Sequence, residues 1–160
     1  MKEKFTLLKP IHEEKLQNNQ SISKEENPEI DPSQEFEATI SQFSKFAVGN
    51  YFWFIADPVK WIVPAAGGSF EKMFPMKLVD LVGKSPEGFF KNVHPEDIVH
   101  MFAFSEYWVN YLSGQPAEKR GNIRATVYIR NKSLQSNYYW AMVQYVDYIF
   151  DDSGKFIYGL

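Results

Sequence analysis

Apolar and polar positions change their spacing several times along this chain, and each change predicts an element. Residues 1 to about 33 show no period. They are polar, rich in Glu, Lys, Asn, Gln and Ser, and close on "NPEIDPS" with Pro28 and Pro32. They read as a flexible lead with one helical turn around Ile11 to Leu16. From 34 to 49 the spacing becomes helical, with Phe36, Ile40, Phe43 and Ala47 at i, i+4, i+7 and i+11. Ser33 is placed to cap this helix, Glu35 and Glu37 suit its positive start, and Gly49 with Asn50 supplies the stop. The apolar stripe has two uses open to it: cover for the chain's own sheet, or an interface with a second copy.

The next segments shorten. "YFWFIAD" (51–57) is dense in aromatics and reads as a buried strand, and "KWIVPA" (60–65) follows after the Asp57-Pro58 turn as its hairpin partner. Gly67-Gly68 is expected to break the chain before a middle of short helical turns. "HPEDIVHMFAFSEYWVNYLSG" then predicts one long helix, ended by Gly114 and Pro116. After it the period drops to two. Ile123, Ala125, Val127 and Ile129 alternate with Arg124, Thr126, Tyr128 and Arg130. "YYWAMVQYVDYIF" (138–150) is apolar in both registers and is expected to need cover on both faces. "KFIYGL" follows the "DDSG" turn as a last strand. Helix, two strands, helices and three strands make an α+β fold with an antiparallel sheet.

Composition narrows the function. The chain has 160 residues, enough for one domain plus an appendage, and 44% are hydrophobic. Fourteen Phe, nine Tyr and four Trp point to a thick aromatic core, a lined cavity or a buried interface. A net charge of −3 provides no footprint for direct nucleic-acid contact. The absence of cysteine excludes disulfides and thiolate chemistry and fits a reducing cytoplasm. Neither a secretory leader nor a membrane span is expected.

The densest candidate chemistry is "KNVHPEDIVHMF" (91–102). Pro95 suits the first helical position, which makes His94 the residue before the helix and sets Glu96 and Asp97 in its first turn. His94 and His100 stand about 240° apart around that helix and cannot chelate one ion. Glu96 and His100, at i and i+4, are expected to form a solvated pair. His100 is the one candidate for an inward axial ligand to haem. "AAGGSF" lacks the Lys-Ser/Thr of a phosphate loop. Asp57 reads as a turn former before Pro58, and Asp151 and Asp152 as turn residues.

The hairpin "YFWFIADPVKWIVPA", the segment "LVGKSPEGFFKNVHPEDI" leading into a long helix, and "YYWAMVQYVDYIFDDSGKFIYG" with its acidic-Gly turn together resemble a PAS domain, over 51–160. The chain departs from the family pattern in "NKSLQSN", a longer loop than the usual Arg-Lys-Asp-Gly turn, and in lacking the Asp-Ile-Thr ending. The resemblance implies a five-stranded antiparallel sheet with helices on one face, cupping a small pocket. The organisation it implies is a polar lead (1–33), an amphipathic helix (34–49) and a sensory domain (50–160), with an output domain beyond 160. A cupped sheet would line its pocket with Trp53, Ile55, Phe74, Phe90, Met101, Phe104, Ala125, Val127, Met142 and Gln144, the last as the polar member. Phe36, Ile40, Phe43 and Ala47 are the expected dimer contacts.

The implied function is non-enzymatic: a cytoplasmic bacterial sensor, homodimeric, with no cofactor and at most an unidentified small-molecule ligand. By family analogy it regulates a LuxR-type helix-turn-helix transcription output. The alternatives are the sensor of a histidine kinase or cyclic-dinucleotide enzyme, or a small α+β enzyme with a cone-shaped pocket using Asp57 or His100 as base.

Overall fold

The computed structural model describes His12, Glu14, Lys15 and residues 30–160. Of the helical turn expected at 11–16, Glu14 and Lys15 are helical and the Lys15 N–H donates to the His12 carbonyl at 3.1 Å, while most of the polar lead lies outside these residues. Two short helices open residues 30–160, α1 (Pro32–Glu35) and α2 (Glu37–Phe46). The cap is Asp31 rather than Ser33: its carboxylate accepts the Ser33 N–H at 2.9 Å, and Pro32 takes the first helical position. A residue before proline prefers extended backbone, which is the conformation a cap requires.

Strands β1 (Phe52–Asp57) and β2 (Ile62–Gly68) form an antiparallel hairpin. Asp57 closes its turn by accepting the N–H groups of Val59 and Lys60 at 3.0 and 2.8 Å. The glycine pair is not the expected break. Gly67 and Gly68 pair with Trp53 and Phe52 inside the ladder. A Cβ on Gly67 would stand 2.6 Å from Cζ2 of Trp53, so the absent side chain is the seat of the indole.

The middle holds α3 (Phe70–Met73), a 3₁₀ turn (Leu78–Asp80) and α4 (Glu87–Phe90). The long helix α5 (Pro95–Ser113) follows, capped by Gly114, then the single turn α6 (Ala117–Arg120). The last strands are β3 (Ala125–Lys132), β4 (Tyr138–Tyr145), β5 (Tyr148–Phe150) and β6 (Phe156–Gly159).

These strands form two antiparallel sheets, not the expected single sheet of five. One has the order β2-β1-β6-β5, and the other is the hairpin β3-β4. The segment expected as one strand over 138–150 is interrupted at Val146–Asp147. There the Asp147 carboxylate accepts the Tyr148 N–H at 3.0 Å and the Thr39 hydroxyl at 2.5 Å. These bonds tie the chain to its own next residue and to α2, and they bend it out of a common ladder. Backbone bonds from Val146 N–H to the Leu160 carbonyl and from Leu160 N–H to the Asp147 carbonyl hold the bend against the end of β6.

The core fills the space between the first sheet and the middle helices. Phe52 meets Phe74 edge-on at 4.8 Å, Phe70 meets Phe74 at 4.9 Å, and Phe74 meets Phe89 at 5.3 Å. Such pairs contribute about 0.5–1.5 kcal/mol each beyond their burial. A second cluster lies on the opposite face of β1 and β6, where Phe36, Ile55 and Ile157 are fully buried under α1 and α2. Strands covered on both faces are therefore β1 and β6. The expectation of two-sided cover for β4 is corrected: Tyr138, Trp140, Met142 and Gln144 on its outer face are exposed, because α2 lies over β1 and β6 instead. No helix among the described residues is long and apolar enough to cross a membrane.

Candidate functional site

The ten residues expected around one pocket fall in three places. Phe74, Phe90, Met101 and Val127 pack in the aromatic core beneath the helices, with Phe104 and Ala125 in the adjoining cluster around Trp108. Trp53 and Ile55 point the other way and pack under the N-terminal helices. Met142 and Gln144 lie on the uncovered face of the β3-β4 hairpin. Strand alternation explains this: on β1, Phe52 and Phe54 face the core helices, so Trp53 and Ile55 cannot. The pocket described lies elsewhere, an open depression lined by Arg120, Tyr148, Phe150, Asp151 and Gly154. Its Arg120 is fully engaged. It donates to the carbonyls of Ser113, Gln115 and Gly154 and lies 4.5 Å over the Phe150 ring, so it bolts α6 to the β5-β6 turn.

The expected dimer stripe is also divided. Phe36 is buried and Ile40 packs beside it against the chain's own sheet. Phe43 at 39% and Phe46 at 75% exposure lie on the distal half of α2, followed by Val48 at 98%. On the hairpin, Tyr128 and Trp140 are each 65% exposed with Met142 beside them. The page of β3 and β4 that carries them holds Arg130 and Lys132 but no acidic residue.

The His94–Asp97 motif does more than start a helix. His94 Nδ1 accepts the Glu96 N–H at 3.2 Å, and its ring meets Tyr138 edge-on at 4.6 Å. Asp97 grips Arg130 of β3 three ways, accepting from its backbone N–H at 2.8 Å, Nε at 2.9 Å and Nη2 at 2.6 Å. Glu96 Oε2 accepts from the same Nη2 at 2.9 Å, so it is turned to Arg130 and not to His100. The guanidinium lies 5.5 Å over Trp140. Hydrogen bonds from Arg130 hold the Asp97 and Glu96 carboxyls below their usual values, and those carboxylates hold the guanidinium above its own. The motif is a clamp that fastens the start of α5 to the hairpin and orients Trp140. Sequence reasoning missed Arg130. Its one signal was a cation on the polar face of a strand otherwise free of acids.

The remaining candidates have structural partners. His100 is exposed on α5 and not inward, as an axial ligand would be. Asp57 is buried in its turn, and Asp151 accepts the Ser153 hydroxyl at 2.6 Å and the Lys155 N–H at 2.8 Å. Under α5, Trp108 Nε1 donates to the Tyr148 hydroxyl at 3.1 Å, which donates to the Tyr145 carbonyl at 2.7 Å. Burial pushes the Tyr148 phenol up to about 12.

The group missed altogether is Asn131. It is wholly buried on the inner face of β3, directly opposite Tyr139 in the ladder. No described protein group lies within hydrogen-bonding distance of its Oδ1 or Nδ2, or of the Tyr139 hydroxyl. Among protein-family models and curated proteins, nothing matches this chain.

Proposed function

We propose that residues 50–160 are a PAS-type sensory module, homodimeric and cytoplasmic, that regulates an output domain in the same chain. The output favoured by family analogy is a LuxR-type transcription regulator. The observation that carries this reading is the order of elements: hairpin, short helices, long helix opened by His-Pro-Glu-Asp, then four strands, the last of which returns beside β1. Counting β4 and β5 as one strand kinked at Val146–Asp147 would give the five strands of that family, although here they belong to two separate ladders. The filled aromatic core favours signalling through helix and sheet contacts over enclosure of a large ligand. Asp57 sits in its turn and His100 is exposed on α5, so neither residue favours the enzyme reading.

Dimerisation follows from two apolar faces left over on one chain: the distal half of α2 with Phe43 and Phe46, and the outer face of the hairpin with Tyr128, Trp140 and Met142. A two-fold pair buries both faces on both copies. Sedimentation equilibrium tests this. Wild type is expected to be a dimer, with Phe46→Glu and Trp140→Glu monomeric and still folded. A monomeric wild type at tens of micromolar would refute it. For the output, a DNA-binding domain that needs dimerisation, fused after Leu160, should repress a reporter in wild type and lose repression with Trp140→Glu. Equal repression by both would reject the regulatory reading.

A further inference from the structure

We propose that Asn131 and Tyr139 form a buried binding site for a small uncharged group that both donates and accepts hydrogen bonds. That group is supplied by an internal water or by the amide edge of an organic ligand. The inference is independent of the PAS-type reading.

Asn131 is 0% exposed, on a strand face otherwise built of Ala125, Val127 and Ile129. A carboxamide offers two donors and an acceptor with two lone pairs, and here none of them meets a described protein group. Leaving such a group unpaired in the interior is costly, so buried polar groups in folded proteins are nearly always satisfied. The side chain is fully enclosed, and the backbone around it is paired on both edges. Tyr139 lies across the ladder on one side. On the other, Val93 bridges to Asn131, the Lys132 N–H donates to Asn92 at 2.7 Å, and the His94 N–H donates to Arg130 at 2.8 Å.

The neighbours define the guest. Residues directly opposite on one face of a ladder have Cβ atoms about 5 Å apart, so the Tyr139 ring starts beside Asn131 and its buried, unpaired hydroxyl belongs to the same face. Desolvation raises the pKa of that phenol, so it keeps its proton and can donate. A carboxamide and a phenol are neutral, and a charged guest would remain uncompensated there. A guest with one donor and one acceptor side by side satisfies Asn131 in the way another amide does. Water does so with two of its four bonds.

The test uses the full chain, labelled with nitrogen-15, and acetamide as the organic probe. A water-selective Overhauser experiment should show a long-lived contact at the Asn131 side-chain amide protons. Acetamide added to tens of millimolar distinguishes the sources. Persistence of the contact assigns water as the guest. Its loss, with a saturable shift of the same protons, assigns the site to amide-type ligands. In the second outcome Asn131→Leu, nearly the same size, should abolish the acetamide-induced shifts at Tyr139. The wild-type spectra decide the matter even if that variant fails to fold. An Asn131 amide with no water contact and no response to acetamide overturns the proposal.

Discussion

Replacing Phe36 by alanine tests whether the N-terminal helices are part of the folded domain or only a handle for a partner. Phe36 is 1% exposed and sits against Ile55 and Ile157, themselves at 0% and 1%. Phe→Ala in a closed core costs about 3–5 kcal/mol from lost transfer energy and the cavity left behind. Phe36 lies between two short helices whose other residues are mostly exposed, so the lower end, about 3 kcal/mol, is the expected loss. Against a total stability of about 5–15 kcal/mol this is large. With a urea m-value of about 2 kcal/mol per molar, the midpoint should fall by about 1.5 M. Trp53 packs in the same cluster, so its fluorescence reports the local change together with global unfolding. Phe46→Ala is the control. At 75% exposure it should change stability by less than about 0.5 kcal/mol in the monomer. The reasoning is refuted if Phe36→Ala costs no more than Phe46→Ala, because the helix would then not be packed on its own sheet.

Two further outcomes follow from the sheet and the clamp. Gly67→Val puts a Cβ 2.6 Å from the Trp53 ring and should cost about 1–3 kcal/mol by overpacking, with loss of the Trp53 near-ultraviolet circular dichroism; an unchanged spectrum would mean the indole is not seated there. Asp97 has its pKa lowered below the model-compound value of 3.8 by Arg130, so its contribution is complete above that value and is lost as pH falls through the lower folded pKa. Urea midpoints of wild type should therefore drop as pH falls below 3.8, and the acid-limb drop should shrink in Asp97→Asn; parallel curves for the two proteins would contradict the clamp.

Local signals carried much of this architecture. The start of α5 was legible because Pro95, Glu96 and Asp97 act within one helical turn, and the 19-residue helix begins at Pro95. The hairpin turn at Asp57 and the amphipathic spacing of Phe36 and Ile40 were legible for the same reason. The clamp on Arg130 was not, because its partners lie 33 residues apart and nothing in either segment names the other. The candidate pocket fared worse. Trp53, Ile55, Met142 and Gln144 were grouped with core residues on hydrophobicity, yet which face of a strand is covered depends on where a distant helix docks.

The sequence by itself determined most element types, the start of α5, the Asp57 turn and the inward set of β3, because these depend on spacing and on neighbours a few residues away. Only the tertiary structure decided the rest. It set α2 over β1 and β6, left the Trp140 face of the hairpin open, and bent the chain at Asp147 through a bond to Thr39 from 108 residues earlier. It also enclosed Asn131, a residue of ordinary polarity in a loop-flanked strand. Burial is a property of what the fold brings around a side chain, and no local pattern records it.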